Sequence, residues 1–577
     1  MSPVCVTIDY DKQAEIDIST ECADRRDVQH GKTGHVEALV LGHPYSFDPA
    51  AWVDATAVIK AYERRGSEFV KDLHGSFAVL IADRKDDRLL VAADRAGTYP
   101  VFMARGPSGL LFSDSIEALC ARLKSVTLDR RALAEFLTLS YMLENRTYFD
   151  EIRTIRQATV LEVDRRRRLN ESVYWRLTDF AQMPPLEPRE VLDRFNDGMR
   201  AAFEMSGDAV VPVSGGLDSR AILSACLPFK DRIKCYTYGP ARSRDVSVAE
   251  TVYKKVGIPG RIISIDAGIC RTLPQMSERL MSWSSGMVNF ILFSHLPKIY
   301  ERECLGAGVH MCGIGGEMLR LFFAPGGPET VHSNADILPA IEAMFYPATT
   351  EGLLAGLMAD QPGMVRDSVK EALDATETDD PLLASECFYL SQRVSKSIAY
   401  SILPAARFSR QFNPFLHTPV LEAAPRLGGE MKKDSWVHRY MVDHNSPELA
   451  SVVLASGKLA TLRPPRLSTL FYYAWFQSRN TCRRALNKAS EAVRGEPLVY
   501  QGPYNYGGLI ARYLPQFVRD TLDPENMLLS GLVDVEMMRE IMGRSLSGSN
   551  LAFKTTSNLM CAELWLKKVG SLTRLRV

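Results

Sequence analysis

The sequence has no excess of charge of either sign, with 69 lysines and arginines against 69 aspartates and glutamates. A chain without net positive charge attracts nucleic-acid phosphates and anionic lipids only weakly, so neither a nucleic acid nor a membrane is expected as a partner. No run of about 18 uninterrupted apolar residues occurs, so no membrane-spanning helix is predicted. The first residues carry acids and no basic stretch ahead of an apolar one, unlike a secretory signal. We therefore expect a cytoplasmic protein.

Cysteine is sparse and irregularly spaced. The chain has 11 cysteines, an odd number, and none of them forms a Cys-x-x-Cys pair. This spacing argues against a disulfide framework and against a zinc ribbon. At roughly 150 residues a domain, the length is instead enough for two to four domains with hydrophobic cores.

The pattern of apolar residues changes near residue 180. Between about 35 and 165, short runs of β-forming residues alternate with turns, which predicts a mainly antiparallel sheet interrupted by a helix at 52–65. The basic run Arg165–Arg168 is expected to cap a hairpin at the surface. Three prolines between 184 and 188 then mark a linker.

Beyond the linker the chain alternates strands and helices. Apolar runs of four to six residues separated by helical stretches predict parallel strands joined by crossover helices. From about residue 330 onward the chain is predicted to be helical. Two domains are therefore predicted, at 1–180 and 190–577.

One motif of the second domain carries chemistry, the sequence Ser-Gly-Gly-Leu-Asp-Ser at 214–219. It follows the apolar strand Val210–Val213 and precedes a helix that is predicted to begin near Arg220. A Gly-Gly turn before a helix is also common as plain architecture. This turn, however, lies at the carboxyl end of the first strand of a predicted doubly wound sheet, where such folds bind ligands.

The residue types of this motif suit a phosphate. Gly215 and Gly216 let the backbone turn tightly and bring its amides close to an anion, and the helix N-terminus adds its positive end. Ser214 and Ser219 can donate hydroxyl hydrogen bonds to phosphate oxygens. Asp218 is placed to hold the Mg²⁺ that such phosphates require. No Gly-Lys-Ser/Thr follows, so the turn is not a Walker loop.

The motif resembles the signature of the N-type ATP pyrophosphatases, and the whole chain resembles the asparagine synthetase superfamily within that group. This superfamily includes asparagine synthetase B, β-lactam synthetase, carbapenam synthetase and the lasso-peptide cyclases. Four separate stretches resemble its N-terminal domain: His74–Ala78, Asp83, Ala93–Pro100 and Phe112–Asp114. The resemblance implies an α/β chain of two domains. A glutaminase-like (Ntn-type) antiparallel β-sandwich with helices would precede a doubly wound parallel ATP-pyrophosphatase domain with a large helical C-terminal part.

The resemblance also implies ATP and Mg²⁺ as cofactors and assigns further site residues. Tyr238 and Gly239, followed by Asp245 and Glu250, resemble the second nucleotide-contacting strand and helix. A second glycine loop at 311–317 contains Gly313 and ends on Glu317, which is expected to bind Mg²⁺ and pyrophosphate.

Two later elements complete the implied site. Asn413–Leu416 resembles the Pro-Phe-Leu-Asp element of the family, with His417 where the acid usually stands. Lys458 lies at about the family's distance for the lysine that steadies the acyl-adenylate and the amide-forming transition state. A cation suits charge that develops on the α-phosphate and on an oxyanion, although Lys458 could also be an ordinary surface lysine.

The chain departs from the glutamine-dependent members of the family. These have a cysteine at position 2 that becomes the N-terminal nucleophile, whereas this chain has Ser2, and Cys5 cannot become N-terminal by loss of Met1. The stretch Gly42–Tyr45 lacks the Asn-Gly-Glu residues that grip glutamine. We therefore expect a glutaminase fold without glutaminase activity.

A second departure concerns the general base. Ile314 stands in the second glycine loop where asparagine synthetases have a glutamate and β-lactam synthetase a tyrosine, and isoleucine cannot relay a proton. Tyr400, Glu422 and His417 are the replacements that sequence order suggests.

The predicted function is an ATP- and Mg²⁺-dependent ligase that adenylates a carboxylate for attack by an amine on the same substrate. The specific hypothesis is lasso-peptide macrolactam cyclisation, since holding both ends in one pocket supplies the effective concentration for ring closure. The substrate would be a peptide or a small carboxylate, and a leader-peptide-binding protein and a protease are expected partners. Two alternatives are an amidotransferase that uses free or partner-supplied ammonia, and a catalytically silent binding protein.

Overall fold

The structure is a computed structural model. It describes residues 5–9, 25–107, 109–240, 243–324, 326–345, 350–463 and 506–577, with isolated positions between 474 and 489. Within these ranges, no helix is long and apolar enough to cross a membrane.

The strands fall into an N-terminal antiparallel group, a parallel group and a final short pair. They are β1 (Cys5–Asp9), β2 (Val28–Thr33), β3 (Val36–Phe47), β4 (Ala50–Trp52), β5 (His74–Asp83), β6 (Arg88–Ala93), β7 (Phe102–Arg105), β8 (Gly109–Ser113), β9 (Ser125–Thr127), β10 (Ile152–Thr154), β11 (Thr159–Val163), β12 (Leu169–Val173), β13 (Ala209–Pro212), β14 (Ile233–Gly239), β15 (Gly260–Ser264), β16 (Val309–Met311), β17 (Arg410–Phe412) and β18 (Arg574–Arg576).

The α-helices lie between and after these strands. They are α1 (Ala55–Arg65), α2 (Ile116–Cys120), α3 (Arg130–Leu139), α4 (Pro188–Ser206), α5 (Asp218–Cys226), α6 (Arg244–Val256), α7 (Ala267–Ser284), α8 (Leu296–Cys304), α9 (Asn334–Phe345), α10 (Thr350–Leu353), α11 (Met364–Asp374), α12 (Pro381–Phe388), α13 (Ala399–Ala406), α14 (Thr418–Leu421), α15 (Gly429–Lys432), α16 (Trp436–Asn445), α17 (Pro447–Ala450), α18 (Tyr506–Tyr513), α19 (Pro515–Thr521), α20 (Val535–Leu546) and α21 (Asn550–Gly570). A π-helical segment, Tyr389–Ile398, joins α12 to α13.

The N-terminal strands form two antiparallel sheets, in the orders β12-β11-β6-β5-β3-β2 with β4 beside β3, and β1-β8-β7-β10. Side chains alternate across β3: Leu39 and Leu41 lie in a core shared with β8 of the other sheet, while Ala38 and Val40 pack beneath α1. This period of two buries both faces of the larger sheet. The predicted antiparallel sandwich with helices is confirmed.

The helix predicted at 52–65 begins later than expected. Its first residue, Trp52, belongs to β4, which pairs with the end of β3, and the helix begins at Ala55. Asp54 caps it, accepting a hydrogen bond from the Ala57 amide at 2.8 Å. A side-chain cap of this kind satisfies an amide that the first turn leaves unpaired, which fixes the boundary.

The second part of the chain is built on a parallel sheet in the order β15-β14-β13-β16-β17. The chain enters at the central strand β13, winds outward through β14 and β15, and then returns to the other side of β13. The predicted doubly wound α/β layout with a helical C-terminal part is confirmed. The domain bounds 1–180 and 190–577 stay predictions.

Three local expectations of this part are corrected. The strand before the glycine motif is Ala209–Pro212 rather than Val210–Val213, and the following helix begins at Asp218 rather than near Arg220. The region predicted to be wholly helical beyond 330 contains two short strands. One of them, Arg410–Phe412, is the fifth strand of the parallel sheet, and three residues are too few to show an alternation in the sequence.

The two parts of the chain touch through polar and aromatic side chains. Tyr45 Oη lies 2.8 Å from His417 Nδ1, and His74 Nδ1 lies 2.7 Å from Thr418 Oγ1. The end of the chain also returns to the N-terminal part, where β18 pairs in parallel with β9 and α21 packs against α3.

Candidate functional site

The candidate site lies where the parallel sheet reverses its winding. The chain leaves β13 toward β14 on one side and returns to β16 on the other. Loop 213–217 follows β13, and loop 312–316 follows β16. Parallel strands bring their carboxyl ends to one edge, so the two glycine loops lie beside each other in the crevice where such sheets bind ligands.

The first loop is held from outside by two neighbours. The Gly215 amide donates to Asp245 Oδ1 at 2.9 Å, and the Ala455 amide donates to the Gly215 carbonyl at 2.9 Å. A Cβ atom on Gly215 would lie 2.5 Å from Ala455 Cβ and 3.0 Å from Asp245 Oδ1. Glycine is therefore required here by close packing.

Gly216 has a different environment. A Cβ atom on it would meet only Ser214 Oγ, at 3.1 Å, and the residue lines an open cleft. Next to Gly216, the hydroxyl groups of Ser214 and Ser219 lie 3.0 Å apart. Gly216 thus keeps one side of the loop open to a ligand, as the phosphate-cradle hypothesis requires.

The second loop approaches Asp218 closely. A Cβ atom on Gly316 would lie 2.8 Å from the Asp218 carboxyl carbon, and one on Gly313 would lie 3.3 Å from Asp218 Cβ. Ile314, between them, is buried. The glycines of this loop therefore bring Glu317 to the side of Asp218.

Both predicted magnesium ligands contact Arg320. Its guanidinium pairs with the Asp218 carboxylate and lies 3.5 Å from Glu317 Oε1. His438 Nε2 lies 3.2 Å from Asp218 Oδ1. Burial opposes ionisation of Asp218, but Arg320 and His438 outweigh it, so the pKa of this carboxyl is lowered.

The two carboxylates fit a divalent cation. Oxygen donors on adjacent loops already converge on one cationic group, and carboxylate oxygen is the donor that Mg²⁺ prefers. Glu317 is further positioned by the Tyr389 hydroxyl, which donates to its Oε2 at 2.6 Å. Among the described residues, no group of three or more His, Cys, Asp or Glu could hold a metal. Bound phosphates and water would have to complete the coordination.

The first loop opens into a cleft of about 710 Å³. It is lined by residues of the first loop, by Asp245 and Arg320, and by residues within 434–439 and 454–459. Three cationic side chains reach it: Arg320, Arg439 and Lys458. Lys458 Nζ lies 3.2 Å from Asp434 Oδ1, and about two-thirds of its side chain is exposed. A cleft that is lined by a glycine loop and by three cationic side chains suits a nucleoside polyphosphate.

Tyr238 and Gly239, which the resemblance suggests as nucleotide-binding residues, lie at the carboxyl end of β14 and do not line this cleft. Tyr238 is near the end of β14 with its ring 5.4 Å from that of His295, and Gly239 is the last residue of that strand. Neither lines the cleft. Residues 241 and 242, which follow them, lie outside the described residues. A role of Tyr238 and Gly239 in nucleotide binding stays a prediction.

The three suggested bases also lie away from the cleft. Tyr400 is fully buried in α13, and burial raises the pKa of its hydroxyl. Glu422 accepts a hydrogen bond from the Trp175 indole at 3.0 Å, and burial raises the pKa of its carboxyl. His417 packs against Tyr45, and burial lowers its pKa to about 3. All three belong to the contact between the two parts of the chain.

The sequence analysis missed several groups that the structure places at the site. Arg320 and Arg439 line the cleft, and His438 and Tyr389 contact the predicted metal ligands. Arg320 could have been suspected, since it follows Glu317 by one helical turn. Nothing in the sequence brings Tyr389 to Glu317, because 72 residues separate them.

Comparisons with known proteins bear on both parts of the chain. A sequence profile described as a glutamine amidotransferase domain matches residues 47–175. A Methanocaldococcus jannaschii protein assigned as a glutamine-hydrolysing asparagine synthetase is 22% identical over 245 residues, which are 41% of this chain and 47% of that protein. Glutamine-hydrolysing asparagine synthetase 2 of Bacillus subtilis is 21% identical over 253 residues, 40% of this chain and 33% of its own.

The match to relatives is partial. The chain spans about half or less of the length of these curated relatives. Among solved structures, the allosteric regulatory enzyme of purine biosynthesis aligns with 43% of this chain and 65% of its own at 8% identity, with a TM-score of 0.18. A TM-score this low does not by itself establish a shared fold.

Proposed function

We propose that this chain, whose matches support the asparagine synthetase superfamily as its family, is an ATP-dependent carbon–nitrogen ligase that adenylates a substrate carboxylate. One observation carries the proposal. At the reversal point of a parallel sheet, the open first glycine loop lines one cleft with Arg320, Arg439 and Lys458, and the Asp218 and Glu317 carboxylates converge on Arg320. This combination places a backbone cradle and counter-charges for a polyphosphate in one cleft, with the proposed metal ligands beside it.

In the first step, different residues are proposed to bind the phosphates and the metal ion. The loop at Gly216 with Ser214 and Ser219 binds phosphate oxygens, and Asp218 and Glu317 would hold Mg²⁺, which neutralises phosphate charge when bound. The substrate carboxylate oxygen attacks the α-phosphorus of ATP, and the bond to pyrophosphate breaks. Preorganised cations lower the cost of charge that develops on the leaving group, which is the role proposed for the cationic side chains of the cleft.

In the second step an amine attacks the acyl carbon of the adenylate. The carbon–nitrogen bond forms, the bond to AMP breaks, and the amine loses a proton. Lys458 is proposed to stabilise the oxyanion of this step. The two carboxylates that line the cleft, Asp245 and Asp434, contact the Gly215 amide and Lys458, and the roles of Tyr400 and Glu422 in proton transfer stay predictions.

The finer proposal is that the amine belongs to the same substrate, as in lasso-peptide macrolactam formation. Two features favour an internal amine over glutamine. Position 2 is serine. The stretch 42–45 is buried, and burial lowers the pKa of His43 to about 4, so it is neutral near pH 7 and offers glutamine no charge. A leader-peptide-binding protein and a protease are the partners proposed with this activity.

A second function is favoured by the comparisons. The relatives are named as glutamine-hydrolysing asparagine synthetases, and the profile match covers a glutamine amidotransferase domain. The same cleft would then adenylate a small acid, and free or partner-supplied ammonia would replace the internal amine.

Pyrophosphate release from ATP separates these functions. Purified protein is assayed with glutamine and aspartate, with ammonium and aspartate, and with a leader-cleaved peptide encoded beside the gene. Release with the peptide, together with the loss of one water from its mass, supports the cyclase. Release only with ammonium and the small acid supports the amidotransferase. Release in none of the mixtures would contradict both and favour the silent binding protein.

Replacement of Lys458 by alanine is expected to lower amide formation by about 100-fold, in the range found when one oxyanion-stabilising group is removed. The affinity for ATP should change by less than about threefold, because the lysine is proposed to act after the nucleotide binds. Turnover is measured by mass spectrometry of the product and affinity by calorimetry with a non-hydrolysable analogue.

Lys433→Ala is the matched control for this variant. Lys433 lies next to Asp434 in sequence but pairs with Glu329 at 2.8 Å and does not line the cleft. Its loss should leave turnover unchanged. Equal turnover in the Lys458 and Lys433 variants would make Lys458 an ordinary surface lysine.

A further inference from the structure

A second cavity, here called the interface pocket, lies between the two parts of the chain. Its volume is about 170 Å³. Residues within 144–159 and 173–178 line it from the N-terminal sheets, and residues within 372–377 and 387–396 line it from the helices. None of these segments contributes to the cleft at the glycine loops.

A buried lysine faces the interface pocket without a partner. Lys396 is 2% exposed, and its Nζ has no hydrogen-bond acceptor among the described residues. An ammonium group removed from water in this way costs free energy unless an anion compensates it. Burial lowers its pKa to about 8, with Glu144 and Arg156 as the nearby charges. The group is therefore still mostly charged near pH 7.

The backbone around Lys396 is unusual. The residue lies in the π-helical segment Tyr389–Ile398, which also contributes Leu390, Ser391 and Gln392 to the pocket. π-Helical turns are rare in proteins, and those that occur are often found at functional sites. The segment thus presents several side chains to one cavity.

The other charged groups of the interface pocket already neutralise each other. Glu144 accepts a hydrogen bond from Gln392 Nε2 at 2.8 Å and lies 3.4 Å from Arg156. Arg176 lies 3.2 Å from Glu377. Lys396 is left without a hydrogen-bonded counter-ion, so the interface pocket offers its ammonium group to a carboxylate oxygen.

A second unsatisfied atom has the opposite requirement. Asn145 Oδ1 is buried in the pocket lining and has no donor among the described residues. A buried acceptor without a donor has lost its hydrogen bonds to water without a replacement, which costs free energy. A fitting ligand therefore brings an anionic oxygen for Lys396 and an N–H group for Asn145. Apolar walls from Ala372, Leu390 and Trp175 would surround the rest of it.

We propose that the interface pocket binds a free α-amino acid, with its carboxylate on Lys396 and its ammonium group toward Asn145. The size agrees: at 10–15 Å³ of cavity for each water, the pocket of about 170 Å³ holds roughly 11–17 waters, which is room for one amino acid. Sulfate would satisfy Lys396 but would leave Asn145 without a donor. The proposal is independent of the proposed ligase activity.

Binding to the full chain is tested with each of the standard L-amino acids by differential scanning fluorimetry, followed by calorimetry for those that raise the melting temperature. We expect at least one of them to bind saturably to the native sequence. Binding should be lost at least tenfold in Lys396→Met and retained in Gly216→Val, which alters the glycine-loop cleft. Propionate and propylamine, which each carry half of the ligand's charge, should bind far more weakly.

A stability measurement tests the premise that Lys396 lacks a partner. Without ligand, Lys396→Met should raise the melting temperature, because it removes a buried charge that nothing pairs. Lys432 is the matched control, since it is equally buried but forms an ion pair with Glu386. Lys432→Met should lower the melting temperature.

The proposal is overturned if no amino acid binds, if binding survives in Lys396→Met, or if that variant is destabilised as Lys432→Met is. Loss of binding in Gly216→Val would also overturn it, by placing the amino acid in the cleft. None of these results depends on whether ATP is turned over, so failure here is distinguishable from failure of the ligase proposal.

Discussion

Gly216→Val is expected to abolish ATP–pyrophosphate exchange, with a loss of at least about 100-fold, while the melting temperature stays within a few degrees of the native value. An added Cβ meets only Ser214 Oγ within 4 Å, so we expect little loss of folding stability. The branches of the valine would instead occupy the open side of the first glycine loop. There the proposed phosphate approaches the backbone more closely than a side chain allows.

Two other glycines are the controls for this prediction. Gly428 has a negative φ and no atom within 4 Å of an added Cβ, so Gly428→Val should keep exchange. Gly215→Ala should lower both stability and exchange, because its Cβ would meet Ala455 and Asp245. Exchange that persists in Gly216→Val would remove this loop from the nucleotide site.

The protein is also expected to lose most of its stability between pH 6.5 and 4. Five histidines are buried or nearly so, and burial lowers the pKa of each: to about 4 for His43, His74 and His310, and to about 3 for His295 and His417. The ordinary pKa of histidine is near 6.5. In this window the unfolded chain binds protons that the folded chain does not, so the free energy of unfolding falls as the pH falls.

The size of this effect is large compared with the stability of a domain. Between pH 6.5 and 4, each of these histidines lowers the free energy of unfolding by about 3 kcal/mol. A typical net stability is about 5–15 kcal/mol, so a few such groups are enough to unfold the protein. Urea denaturation followed by circular dichroism at a series of pH values measures this dependence.

One variant shows whether the buried histidines cause the acid transition. His417→Phe removes a titrating ring and keeps an aromatic group beside Tyr45 and Phe412. The midpoint pH of acid unfolding should move downward. A stability that is flat from pH 7 to 4, or a midpoint that does not move in this variant, would contradict the explanation.

The sequence predicted the parts of the fold that local chemistry determines. The hairpins follow from short β-forming runs separated by turns, as at β5 and β6, and the two glycine loops follow from Gly-rich motifs that come after apolar strands. Strand β17 escaped prediction because three residues cannot show a period. Its place beside β16 depends on a pairing across about 100 residues of chain, which no local pattern encodes.

The residues of the candidate site were also predicted only in part. Asp218, Glu317 and Lys458 were expected from motif order, and the structure brings the first two together and lines the cleft with the third. Sequence order could not separate Tyr400 and Glu422 from the cleft, because it does not fix the direction in which a helix presents a side chain. Lys396 gave no signal at all, since an unpaired buried charge is visible only once its neighbours are placed.

The pairing of β18 with β9 sets the order in which the molecule can be completed during synthesis. Leu128 donates its amide to the Arg576 carbonyl at 2.8 Å, and Thr573 donates its hydroxyl to the Leu123 carbonyl across 450 residues. Strand β9 has no other strand partner among the described residues. The side of β9 that faces β18 therefore has no strand partner, among the described residues, until residues 574–576 have been made. Contacts so distant in sequence form late and slowly, so this strand edge of the N-terminal part closes only after the helices that separate the two strands in sequence have been synthesised.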